Sequence, residues 1–237
     1  MKGIINIMLI VNNTKKLKDI IEFKEGTYYK FVCLLRTKDY KDFNEELMLK
    51  CMEKQEILVK DWLIDSQEML DKTLPDMIKF TETFKCRLYM CTDRKSVVKT
   101  LKTMRDIVQN YLDPFIGNSN TDCSVRAIKK ICSSATSKSE SSDREGRRWL
   151  FDVDTKNVNL KDYLMNYFTL QHYNPVLFTT KNGYHIITDK HFDANEFVKK
   201  ELPDVAYQQG HQMHWLDKNN VALVEVKDNA MTLIAMG

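Results

Sequence analysis

Runs of apolar and polar positions divide the chain into short strands and amphipathic helices. Residues 28–35 form a β-rich apolar run and residues 57–64 (Ile-Leu-Val-Lys-Asp-Trp-Leu-Ile) a second, with a polar stretch at 36–46 between them. Ser66 stands as an N-cap before a helical stretch that reaches about Phe84. Pro75 falls inside it and lacks an amide hydrogen, so a kink or a split after Leu74 is expected. Residues 86–91 read as a strand. After Ser96, the residues Val97, Leu101, Met104, Val108 and Tyr111 recur at spacings of four and three, predicting a helix with one buried stripe that ends at Leu112-Asp113-Pro114.

A short helix near 124–132 leads into a Ser-rich stretch at 133–142 that has too few apolar residues to offset ordering entropy, and it reads as a flexible surface loop. Residues 149–154 then form an apolar strand ending in carboxylates. Asn159 caps a helix whose stripe is Leu160, Tyr163, Leu164, Tyr167 and Phe168. Residues 176–180 and 184–187 flank Lys181-Asn182-Gly183, and Asn-Gly is a strong hairpin signal. Asp193 caps another helix, and 221–226 with 231–236 read as a closing hairpin around Lys227-Asp228-Asn229. The expected fold is α+β: an N-terminal αβ lobe followed by an RNA-recognition-like, ferredoxin-like sheet with helices on one face. The boundaries expected are a mobile segment at 1–22, the first lobe at 23–132, the flexible loop at 133–146 and the second lobe at 147–237.

Composition narrows the class without changing this plan. The 237 residues are 43% hydrophobic and 29% charged, as in ordinary globular proteins. A net charge of +3 is too small to imply a polyanionic partner, so local clustering must decide. Six cysteines without a Cys-x-x-Cys pair predict reduced thiols in a cytoplasmic protein, the host cytoplasm if the source is viral. The apolar run at 4–11 is short and interrupted by Asn6, which predicts neither a signal peptide nor a membrane span, and no membrane partner.

Candidate chemistry lies in the second lobe. Asp152 and Asp154 are two apart on a strand and so share a face, where they can hold one or two divalent cations, magnesium or manganese, that bridge to phosphate oxygens. The plainer reading is a strand running out into a polar turn. His185 follows Gly183 by two residues, close enough to a backbone turn for its imidazole to donate to a phosphate. A structural histidine is the plainer reading there too. Phosphatase and polymerase-beta patterns fit poorly, because Lys156 stands where the former needs threonine and Gly146 is too near Asp152 for the latter. His211 and His214 have a metal-like spacing but no third ligand.

The strand Phe151-Asp152-Val153-Asp154 followed by Gly183-Tyr184-His185-Ile186 resembles the first two motifs of the archaeo-eukaryotic primase and primase-polymerase superfamily. The chain from about Tyr28 onward also resembles uncharacterised bacteriophage proteins. The superfamily resemblance implies that Asp152 and Asp154 bind catalytic magnesium or manganese and that His185 contacts the triphosphate. It also implies a third acid, for which Asp228 is the first candidate, with Glu225 and Asp217 as alternatives. Lys181, Gly183 and Arg148 would bind the nucleotide, with Lys190 and Arg147 flanking, and Arg87, Arg94, Lys95 and Lys99 would guide nucleic acid. The implied reaction transfers a nucleotide from a nucleoside triphosphate to a 3′-hydroxyl, on a single-stranded template and alongside replication proteins. A non-catalytic nucleic-acid-binding or interaction protein of viral origin, and a metal-dependent nuclease or phosphoesterase, are the alternatives.

Overall fold

The structure is a computed structural model that describes residues 9–36, 56–112, 125–154, 156–190, 206–209, 212–217, 220–227 and 230–236. Strand β1 (Leu9–Asn12) and a 3-10 turn (Thr14–Asp19) precede β2 (Thr27–Arg36), β3 (Glu56–Ile64), α1 (Gln67–Phe84), β4 (Arg87–Cys91), β5 (Lys95–Ser96), α2 (Val97–Leu112) and α3 (Val125–Ser137). After a second 3-10 turn (Ser139–Ser141) come β6 (Trp149–Val153), α4 (Val158–Leu170), β7 (Val176–Thr179) and β8 (Tyr184–Thr188). The chain closes with β9 (Ala206–Gln209), β10 (Gln212–Asp217), β11 (Asn220–Lys227) and β12 (Ala230–Met236). The fold is α+β, with antiparallel sheets. The expected helix after Asp193 lies outside the described residues.

The first sheet runs β1-β12-β4-β2-β3, with β5 beside β2, and the second runs β7-β8-β6-β11-β10-β9. The expected closing hairpin is therefore not formed. β11 pairs with β10 and β6, whereas β12 crosses to the first sheet and lies between β1 and β4. One core joins both sheets: Tyr29, Phe31, Leu88 and Met90 of the first pack with Leu150, Phe178 and Ile187 of the second and with Leu70 and Met77 of α1. The opposite face of the second sheet packs on α4, where the Phe151 and Phe168 rings lie 4.5 Å apart. The exposed edge of β7 is tied down by the N-terminal segment. Asn13 Nδ2 donates to Thr179 O at 2.8 Å and Lys16 Nζ to Leu177 O at 2.7 Å, which satisfies edge carbonyls that would otherwise invite a foreign strand.

Two helices depart from expectation. α1 continues through Pro75, with the Ser66 side chain accepting from Met69 N at its start and Lys85 in the left-handed conformation at its end (φ 48°). Burial of Leu70, Met77 and Thr81 on the sheet outweighs the one hydrogen bond that proline removes. On α2 the predicted stripe is only partly covered: Val97 and Leu101 are 40% and 58% exposed, whereas Met104 and Val108 are half-buried. Thr100 is the residue turned inward, with its Oγ1 2.8 Å from Tyr28 Oη.

The Ser-rich stretch is built into the end of α3 and the 3-10 turn after it, where two buried cations use its oxygens and a third pairs with Asp143 just beyond it. Lys30, on the outer face of β2, is 2% exposed and donates to Ser133 O (3.2 Å), Thr136 Oγ1 (2.8 Å) and Ser137 Oγ (2.8 Å) at the end of α3. Lys95 donates to Lys138 O and to Ser142 Oγ, and Ser142 Oγ in turn donates to Asp93 Oδ2. Arg94 is fully buried, with Nε and Nη2 on Asp143 Oδ2 at 2.9 and 2.6 Å and Nη1 on Glu22 O at 2.9 Å. Charged groups enter an interior only when paired and hydrogen-bonded in this way. Burial still pushes the Lys95 ammonium below and the Asp93 carboxyl above their ordinary values. Gly146 is required by this arrangement, since a Cβ there would stand 2.5 Å from the Arg94 Cβ.

Arg94→Met, which strands Asp143, is expected to lower stability by about 3–5 kcal/mol, and Gly146→Ala by about 1–3 kcal/mol, both read as shifts in the urea midpoint. Burial pushes the Asp143 carboxyl up, but the hydrogen bond and charge of Arg94 outweigh it and leave the group below its ordinary value. Its stabilisation is therefore present above about pH 3.9 and lost as pH falls through the lowered folded value. The stability gap between wild type and Asp143→Asn should close over that acid window.

Candidate functional site

Strand β6 is central in the second sheet, and its alternation sorts the site from the core. Phe151 and Val153 face α4, so Leu150 and Asp152 occupy the other face, toward the first sheet. Registry with β8 sets Asp152 opposite His185, and registry of β7 sets Phe178 opposite His185 on the far side. On the other flank, β11 sets Glu225 opposite Asp152, and β10 sets Gln212 opposite Glu225. Residues directly opposite in an antiparallel pair share a face, so these positions form one row across the sheet.

Within that row His185 Nε2 lies 3.2 Å from Asp152 Oδ1, and the two side chains are 8% and 15% exposed. His185 Nδ1 is buried and has no hydrogen-bond partner among the described residues. Nearly all of the imidazole is thus inside, pinned by one carboxylate, with a polar atom left over. Asp154 stands just past the strand end and is exposed. The β7–β8 connection closes as a four-residue loop in which Thr180 N donates to Gly183 O at 2.9 Å and Gly183 N to Thr180 Oγ1 at 2.9 Å. Neither Asn182 nor Gly183 takes a positive φ, so the Asn-Gly pair marks this hairpin without forming the two-residue turn it usually makes.

Other expected residues are divided. Lys181 is half-buried in the hairpin loop and Gly183 is buried there. Arg148 lies four residues before Asp152 and donates its backbone N–H to Asp93 Oδ1 at 2.9 Å. Lys190 is exposed beyond β8. Asp217 ends β10, five residues from the Gln212 position of the row, or about 17 Å along the strand. Asp228 lies outside the described residues. Arg94 and Lys95 have their charges buried in the cluster described above, and Lys99 Nζ donates to Ser142 O at 2.9 Å. Arg87 begins β4, opposite Leu34.

Among the described residues, no three of His, Cys, Asp and Glu come together as a metal cage. Magnesium asks less than that, since one or two carboxylates plus water and phosphate oxygens suffice, and Asp152 with Asp154 meets this donor requirement. No helix among the described residues is long and apolar enough to cross a membrane. No protein-family model matches the chain, and neither a curated protein nor a solved structure matches it.

Because Asp152 holds a buried imidazole and Asp154 is exposed, their substitutions should separate. Asp152→Ala is expected to destabilise by about 1–3 kcal/mol and Asp154→Ala by no more than about 0.5 kcal/mol in urea unfolding. Equal losses would show that the 3.2 Å contact carries no weight.

Proposed function

We propose that the protein is a primase-polymerase-like nucleotidyltransferase, which moves a nucleotide from a nucleoside triphosphate onto a nucleic-acid 3′-hydroxyl. The observation that carries this reading is the registered row His185–Asp152–Glu225, with Asp154 at the open end of the same strand. The strand order β7-β8-β6-β11, with α4 in the β6–β7 crossover, supports it, since this is the 2-3-1-4 order of an RNA-recognition-like sheet.

In this mechanism Asp152 and Asp154 would hold magnesium or manganese, which would supply neutralisation of charge on the triphosphate and on the attacking oxygen. Glu225, in registry with Asp152, is the better third acid on backbone grounds than Asp217, which is displaced along its strand. His185 does two things. Its Nε2 fixes the Asp152 carboxylate, and its Nδ1, which has no hydrogen-bond partner among the described residues, would donate to a phosphate oxygen only when both ring nitrogens carry protons. Lys181 and the buried Gly183 in the hairpin loop would bind the triphosphate beside it, with nucleic acid as the second substrate.

A non-catalytic nucleic-acid-binding protein on the same fold is the second reading, and what favours it is the 6% exposure of His185, which lies closed in against Asp152. Purified protein incubated with manganese, labelled nucleotides and a single-stranded template separates the two. Extension is expected in wild type and should fall at least about 100-fold in Asp152→Ala/Asp154→Ala, the scale seen when preorganised charge stabilisers are removed. Product that survives the double substitution overturns this site. Template binding without synthesis in wild type selects the second reading.

A further inference from the structure

Between α2 and the turn that follows α3 lies an open pocket of about 440 Å³, a volume typical of small-ligand sites. Four cations line it, Lys99, Lys102, Arg144 and Arg147, against two carboxylates, Asp106 and Glu140. The surplus is positive and partly uncommitted. Asp106 already accepts from Arg105 at 2.9 and 3.0 Å, and Glu140 accepts from Ser139 Oγ at 3.2 Å. Lys99 is held on Ser142 O, and Arg147 lies 5.6 Å from the Trp149 ring. The side chains of Lys102 and Arg144, both exposed, make neither an ion pair nor a hydrogen bond among the described residues.

The floor is charge-balanced: Ser142, 7% exposed, receives the buried Lys95 ammonium on its Oγ at 2.9 Å and donates to the buried Asp93 Oδ2 at 3.0 Å, so the positive surplus belongs to the rim. The lining includes no aromatic ring on which a base could stack. What remains is a point charge and a planar guanidinium at the rim of an open pocket, a combination suited to phosphate oxygens, with arginine able to bind two at once.

We propose that this pocket binds a phosphoryl polyanion through Lys102 and Arg144, with Lys99 and Arg147 framing it. The proposal does not rest on the Asp152 reading, since no residue of β6 lines the pocket and Arg147, two residues before that strand, is about 17 Å along an extended chain from Asp152. The phosphates come from a nucleic-acid strand or from a free oligophosphate.

The full chain is titrated with inorganic tripolyphosphate by calorimetry and with a labelled single-stranded oligonucleotide by anisotropy, at about 50 and about 200 mM salt. Lys102→Ala/Arg144→Ala is compared with Lys72→Ala/Lys79→Ala, a control pair exposed on α1. Lys102→Ala/Arg144→Ala should weaken binding at least about tenfold and the control no more than about twofold. Loss confined to tripolyphosphate assigns a free oligophosphate. Loss of oligonucleotide affinity, with a log-log salt slope shallower by about 1.4, assigns a strand. Wild type that binds neither probe below about 1 mM, equal losses in the two double variants, or no loss in Lys102→Ala/Arg144→Ala overturns the proposal.

Discussion

The structure turns on the registry of β6 between β8 and β11. A slip of one residue in either pairing would turn every side chain of β6 over, exchanging Asp152 for Phe151 or Val153 on the face toward the first sheet. The apolar pattern prevents the slip, because Phe151 and Val153 must cover α4 while Leu150 joins the core shared with the first sheet. The same packing that makes the core therefore delivers an aspartate, a histidine and a glutamate position to one row. The buried imidazole is affordable only because the row supplies it with a carboxylate at 3.2 Å.

A second constraint holds the two sheets to each other. β12 leaves the second sheet's neighbourhood to complete the first, so neither half of the chain is self-sufficient. On the outer face of the first sheet, Lys30, Arg94 and Lys95 are buried against the segment from Ser133 to Gly146, and their hydrogen bonds fix the turn from which β6 starts. The basic pocket between α2 and that turn follows from this geometry: the segment that neutralises the buried cations carries Arg144 and Arg147 into place beside Lys99 and Lys102.

Local signals were readable wherever one segment decides the outcome. The Ser66 cap, the strand into Asp152, the α4 stripe through Leu160, Leu164 and Phe168, and the β7–β8 hairpin all follow from spacing and turn chemistry. Partner choice was not readable. Residues 231–236 alternate well enough for a hairpin with 221–226, yet the strand they form pairs between β1 and β4 instead. The serines at 133–142 resemble a disordered tract because their role, coordinating ammonium groups on distant strands, leaves no periodicity. The apolar residues of α2 mislead in the opposite sense, since Val97 and Leu101 stay at the surface while Thr100 turns inward. In the site, the Asp152 and His185 motifs were visible as isolated signals, but only registry brings them to 3.2 Å and puts Glu225 opposite Asp152.

We propose that Asp152 and Asp154 hold a divalent cation beside His185. Paramagnetic broadening by manganese in the amide spectrum of the isotope-labelled protein tests it without relying on turnover. Selective loss of the Val153, Gly183, Tyr184 and His185 signals is expected at low manganese, with the Arg94 cluster unaffected and the effect abolished in Asp152→Asn/Asp154→Asn. Broadening centred elsewhere, or unchanged in the double variant, would contradict it.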